Sequence, residues 1–359
     1  MADVVRRFGD DVRRGASLTY EERRALDDIE RCRTIALGAH RELYECGHEV
    51  TAYNSCRNRA CPSCLHGKSR DWVEQRELDL LPVPYFHVVF TVPQELADLP
   101  GMTHAKLYDA LFRAASSTLL QFGRRHLGGE MGFLAVLHTW GQKLTHHPHV
   151  HCVVAGGALN SKDNRWKRAN PGYLFPVRAL SKVFRGTLLA NLRRHGLPGM
   201  TAEQLAPVLA AAARHDWVVY AKPPFGGPHQ VLRYLARYTH RIAISEHRLL
   251  SVNDESVTFA WKDYRDGGAN KQMKLPGAIF LRRFLQHVLP RSYTRLRAFG
   301  FLANSGKAKK LAAIRALLDV EPPPPVAERL CLCPVCGKGQ LTHREMLEPW
   351  SLLPRSNTS

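Results

Sequence analysis

The chain of 359 residues is long enough to bury a substantial core and to hold two or three folded units. It is 45% hydrophobic and 23% charged, as an ordinary globular protein is, yet 51 Lys and Arg stand against 32 Asp and Glu, a net charge of +19. A surplus of that size points to a polyanion, nucleic acid first, with a merely basic surface as the plain alternative. The longest apolar run, Leu205 to Ala213, is too short to span a bilayer and contains Pro207, so no membrane is expected. The opening stretch has Asp3, Asp10 and Asp11 and no apolar region of a secretory signal. Eight of the nine cysteines fall in two clusters, which reads as metal sites in a reducing cytoplasm, not as disulfides.

In chain order, residues 1–30 form a charged lead-in, helical from Tyr20 to Arg31, and residues 31–75 form a cysteine-rich zinc-binding domain. A catalytic domain is expected over 80–302. It opens with a strand, Tyr85–Val92, followed by a helix from His104 to His126 with Leu107, Leu111, Ala114, Ala115, Leu119 and Phe122 at helical spacing. Phe133–Gly141 and His149–Ala155 read as two strands joined by a turn around His146–Pro148. Helices are expected near Leu180–His195, Ala202–Arg214 and His229–Arg241. Two β-rich stretches follow, Ile242–Val252 and Ser256–Tyr264, and then a basic helix, Phe280–Val288. A basic helical tail (303–320) and a proline linker leading to a possible half zinc ribbon (321–359) complete the chain. This order suits an α+β fold, an antiparallel sheet with helices on one face. No GxxxxGK[ST] is present, so no P-loop ATPase is expected.

His149-Val150-His151 places two imidazoles on one face of a strand, where they can share a cation. If the turn is short, Gln142 lies opposite His149 and supplies a third ligand. Two imidazoles and an amide oxygen leave positions open for phosphate and water on Mg²⁺ or Mn²⁺. A half-buried strand showing two surface histidines is the plain alternative.

In VLRYLARYTHR (231–241), Tyr234 and Tyr238 lie four apart and share one helical face. Arg233, Arg237 and Arg241 form an adjoining row suited to backbone phosphates. An ordinary core stripe of Val231, Tyr234, Leu235, Tyr238 and Ile242 explains the same spacing. The combination favours chemistry. A phenol with a pKa near 10 is a poor nucleophile, and a divalent metal offsets this by polarising the scissile phosphate. Attack forms a phosphotyrosine that stores the cleaved bond, so rejoining requires no ATP.

Six segments carry a family resemblance: CRTIALGAH (32–40), AYNSCRNRACPSC (52–64), PYFHVVFTVP (84–93), LHTWGQKLTHHPHVHCVV (137–154), YLARYTHRIAIS (234–245) and FLRRFLQHVLP (280–290). In this order they resemble the two-tyrosine rolling-circle transposases of the insertion-sequence ninety-one family, within the HUH endonucleases. The resemblance implies a ferredoxin-like core in which His149 and His151 hold the metal and Tyr234 and Tyr238 are the nucleophiles. It also implies single-stranded element ends and target DNA as substrate, and a free 3′-OH for replication, with host replication proteins as partners.

For the structural zinc, Cys61-Pro-Ser-Cys64 is a knuckle and Cys46 and Cys56 lie upstream, giving four thiolates. The resemblance leads one to expect a CxxC ending at Cys46, but position 43 is Leu43. Cys32, His40 or His48 therefore stays open as the source of one ligand. Cys331, Cys333 and Cys336 look like half a ribbon that His343 could complete, or like a remnant. Arg282 and Arg283 are expected on DNA. Two other readings remain: a non-enzymatic zinc regulator, which leaves the histidines and tyrosines without work, and a replication initiator or relaxase, which shares the chemistry.

Overall fold

The computed structural model describes residues 1–15, 17–64, 76–100, 104–222, 230, 243–324 and 330–349. The helices are α1 (Ala2–Gly15), α2 (Tyr20–Arg31), α3 (Gln94–Ala97), α4 (His104–Phe122), α5 (Val177–His195), α6 (Ala202–Ala213), α7 (Gly277–Leu285) and α8 (Lys307–Leu318). The strands of the first half are β1 (Ala39–Tyr44), β2 (Glu49–Tyr53), β3 (Tyr85–Thr91), β4 (Glu130–Trp140), β5 (His146–Asn160) and β6 (Arg165–Arg168). Those that follow are β7 (Val219–Lys222), β8 (Leu249–Val252), β9 (Ser256–Asp263), β10 (Ala269–Pro276), β11 (Leu296–Gly300) and β12 (Leu341–Leu347). No helix among the described residues is long and apolar enough to cross a membrane.

The chain divides into two compact units. The first collects residues 1–68, 244–288 and 325–359, and the second 69–243 and 289–324. The blocks expected from sequence, with one over 80–302, run in chain order, whereas these compact units do not. Residues 244–288 and the last cysteines join the N-terminal cysteine region. Local patterns cannot reveal a unit assembled from distant segments.

In the first unit, Val4, Val5, Phe8 and Val12 bury one stripe of α1, which packs on α7. Gly277 opens α7 directly under the Phe8 ring, where a Cβ would collide. Thr19 and Glu22 cap α2 reciprocally: the Glu22 N–H donates to Thr19 Oγ1 at 3.2 Å and the Thr19 N–H donates to Glu22 Oε2 at 2.8 Å. Two three-stranded antiparallel sheets follow, β12-β1-β2 and β10-β9-β8. Here α1, β10 and β12 are additions to the sequence reading.

The second unit has the order β3-α4-β4-β5-α5-α6-β7, and its sheet runs β11-β4-β5-β3-β7 with β6 on the far end of β5. Every pairing in it is antiparallel. The central four strands have the ferredoxin-like arrangement, so the expected α+β antiparallel core is present. One face, with Phe86, Val88, Phe90, Phe133, Val150 and Cys152, packs against α4 and α5 through Leu111, Phe112, Phe184 and Leu188. On the other face Leu134, Val136 and Val153 lie in a smaller cluster with Leu311 and Ile314 of α8. The helix α8 lies within the tail expected over 303–320, and before it β11, which the sequence reading left unassigned, extends the sheet beside β4.

Candidate metal centre

The histidine strand is β5, and its register settles which residues meet. His138 of β4 lies opposite His149, and Val136 opposite His151. Gln142 is therefore not the cross-strand partner of His149. It lies in the connection between β4 and β5. The turn spans Gly141 to Thr145, where the Gly141 N–H donates to the Thr145 carbonyl at 3.0 Å and Leu144 has φ 60. β5 accordingly starts at His146, where the turn was expected. Moving from 142 to 138 is an even slip of four positions, so the face is kept and the residue is exchanged.

His138, His149 and His151 bring ligand nitrogens within 4.8 Å of one another. Their ring centroids are 5.3 Å apart for His138 and His149, 4.3 Å for His138 and His151, and 4.8 Å for His149 and His151. The His149 Nδ1 lies 2.6 Å from the His147 carbonyl, so Nδ1 carries the proton and Nε2 keeps a lone pair for a cation. Burial pushes His149 down to about 4 and His151 well below the usual imidazole range. Both rings are thus neutral near pH 7, the state a metal requires.

His87 of β3 shares this face, opposite Val153. Its Nε2 lies 2.8 Å from His151 Nδ1, with the two rings 5 Å apart and 5° from parallel. Beyond it on β7 stand Lys222, opposite His87, and Tyr220, opposite Val89 and 45% exposed. Cation and ring on one row suit a nucleic-acid strand. Sequence reading missed His87, His138 and Tyr220. The signal for His138 was its place on the strand preceding the turn, legible only once the register is known.

His146 has a different role. Its Nδ1 donates to the Ala97 carbonyl at 2.6 Å, so its Nε2 accepts from the Tyr108 hydroxyl at 2.7 Å. It fastens the start of β5 to the helical layer. Tyr234 and Tyr238, with Arg233, Arg237 and Arg241, lie outside the described residues. Arg282 is exposed on α7 and donates to the Gly15 carbonyl at 3.0 Å, whereas Arg283 is half-buried beside Met273.

The cysteines also regroup. Cys32, Cys56, Cys61 and Cys64 form one cluster. Cys32 and Cys64 sulfurs are 3.4 Å apart, Cys56 and Cys64 3.5 Å, and Cys61 and Cys32 3.7 Å. A disulfide would bring sulfurs to about 2 Å. A tetrahedral zinc with Zn–S of about 2.3 Å separates them by about 3.8 Å, so the cluster fits that ion. Hydrogen bonding from Cys56 pushes the Cys61 thiol down to about 5, toward the thiolate a metal takes. Cys46 does not belong to this quartet, and Cys32 replaces it. Cys46 instead meets Cys333 and Cys336. His40 Nδ1 is 3.0 Å from Asn54 Oδ1, and His48 stacks on Tyr44.

Comparisons with known proteins give the chain's relatives. A family profile described as "Putative transposase" matches residues 132–310, and one described as a transposase zinc-binding domain matches residues 4–92. Together they define a transposase with an N-terminal zinc-binding domain. The chain is 42% identical over 387 residues to "Putative transposase y4qJ" of Sinorhizobium fredii, covering 99% of this chain and 97% of that protein. It is 31% identical over 311 residues to the transposase for insertion sequence element IS801 of Pseudomonas savastanoi pv. phaseolicola, covering 82% of this chain and 73% of that protein. Among solved structures, a metal-bound conjugative relaxase in complex with oriT DNA matches at TM-score 0.25 and 16% identity, over 43% of this chain and 70% of that chain. That likeness is too remote to carry weight. The chain belongs to the insertion-sequence ninety-one family of transposases.

Proposed function

We propose that this transposase nicks and rejoins single-stranded DNA by metal-assisted transesterification, with Tyr234 and Tyr238 as nucleophiles, in rolling-circle-like transposition. The supporting observation is the triad His138, His149 and His151 on adjacent central strands of a ferredoxin-like sheet. Three imidazole nitrogens suit Mn²⁺ better than Mg²⁺, whose preferred donors are oxygens. A cation held there would polarise the scissile phosphate and offset the charge that develops on it.

The chain's own groups do the rest. A tyrosine oxygen forms a bond to phosphorus as the bond from phosphorus to the 3′ oxygen breaks. The phenolic proton leaves to solvent or a base, and the departing 3′ oxygen takes up a proton. The product is a 5′-phosphotyrosine and a free 3′-OH. The bond energy is conserved, so a second attack rejoins the strand without ATP. Arg233, Arg237 and Arg241, with Lys222 and Tyr220 on β7, would hold backbone and bases, and Arg282 and Arg283 would add phosphate contacts.

The test uses purified full-length protein, Mn²⁺ and single-stranded DNA from an element terminus. A covalent protein–DNA adduct resistant to detergent is the expected product, and the double change Tyr234→Phe, Tyr238→Phe abolishes it. Persistence of the adduct in the double variant would refute the assignment.

A further inference from the structure

The geometry points to a second zinc site in the first unit, held by Cys46, Cys333 and Cys336, with its fourth corner at Leu43 filled by solvent water. These three sulfurs lie within 4.8 Å of one another although they come from opposite ends of the sequence. The zinc-binding profile stops at residue 92 and so does not include Cys333 or Cys336. The site is separate from the Cys32 quartet, which has its full tetrahedron of thiolates.

Two similar turns build it. Cys46 is followed by Gly47 at φ 76, and Cys336 by Gly337 at φ 68. The Gly47 N–H donates to the Tyr44 carbonyl at 2.8 Å, and the Gly337 N–H donates to the Cys333 carbonyl at 2.9 Å. The Gly339 N–H points at Cys336 Sγ, 3.4 Å away, as backbone amides do around metal-bound thiolates. Gly339 itself lies so close to Cys46 that a Cβ there would stand 3.1 Å from the Cys46 sulfur. The turns are locked by the Glu45 N–H to Gln340 carbonyl bond and the Gln340 N–H to Glu45 Oε2 bond, 2.9 Å each.

Counting back three positions from each second cysteine gives Cys333 in one turn and Leu43 in the other. The pair of turns thus supplies three thiolates where four would close a tetrahedron. Cys46, Cys336 and Leu43 are exposed, so water has access to the missing corner. His343 faces Leu43 across the β1–β12 ladder, yet it stands outside the sulfur cluster. Soft thiolates select zinc over harder ions. The bound ion would join β12 to β1, coupling the segment 330–349 to the N-terminal hairpin.

Metal analysis of full-length protein purified with zinc tests this. Two zinc equivalents per chain are expected in a His149→Ala background, where the histidine triad is broken and cannot take the ion, falling to one in Cys333→Ser, Cys336→Ser. Leu43→Cys keeps two equivalents and slows release of the weaker one to a chelator by at least about tenfold, since it closes the tetrahedron. His343→Ala changes neither count nor release rate. A single equivalent in that background overturns the site, and so does a second equivalent indifferent to the cysteine changes. Faster release in His343→Ala, or no effect of Leu43→Cys, overturns the water-filled corner.

Discussion

His87 Nε2 stands 2.8 Å from Nδ1 of His151, and the two rings lie nearly parallel. If His151 ligates through Nε2, its Nδ1–H donates to His87, which fixes both tautomer and ring plane. His87 would thereby act as a positioning residue. His87→Ala is expected to weaken Mn²⁺ binding to the histidine triad by about 10- to 100-fold, the usual effect of losing such a partner. His87→Gln, which can still accept that proton through its amide oxygen, recovers part of the loss. Calorimetric titration with Mn²⁺ checks the order, and equal binding by all three proteins would discard the role.

The register makes a sharp contrast between two neighbours. His138→Ala is expected to abolish Mn²⁺ binding and covalent adduct formation, whereas Gln142→Ala leaves both close to the unaltered level. The reverse pattern would return the third ligand to the turn.

His149→Ala is expected to block strand cleavage while most salt-sensitive DNA affinity remains, because phosphate contacts come from cations elsewhere. Fluorescence anisotropy across a salt series, run beside the cleavage assay, separates the two. Loss of both together would give the strand a structural role.

His146→Ala tests the opposite case. It removes the acceptor for the buried Tyr108 hydroxyl and a bond to Ala97, at a cost of about 1–3 kcal/mol for each buried group left unsatisfied. Urea unfolding should show that loss, with Mn²⁺ affinity of the folded protein unchanged. A drop in affinity without loss of stability would make His146 part of the metal site.

Cys32→Ser should remove the zinc of the quartet and open residues 32–64 to protease, since little apolar material there folds without metal. Retention of that zinc in the variant would restore the ligand question to His40 or His48.

Much of this was legible in local pattern. Tyr85–Thr91, α4, α5 and α6 declare themselves by alternation or helical spacing, and His149 with His151 by the two-residue period of a strand. The β4–β5 register was not legible, because the turn rests on Leu144 in a left-handed conformation, a position where no Gly or Asn stands to advertise it. The mistaken placement of Gln142 opposite His149 follows from that single turn. Cys46 was assigned to the wrong quartet for a different reason. Spacing reports only neighbours along the chain, and its true companions lie beyond residue 330. Tyr234 and Tyr238, on which the sequence reading placed the nucleophiles, lie outside the described residues.

The pairing of β1 with β12 also sets a schedule for the newborn protein. Arg41 and Glu345 bond across 304 positions of sequence, so the N-terminal hairpin leaves the ribosome long before its outer strand is made. A message cut short before residue 341 would yield a polypeptide whose hairpin keeps a raw, sticky border, fit for clumping or degradation. Such a dependence would let the cell discard incomplete copies of this transposase.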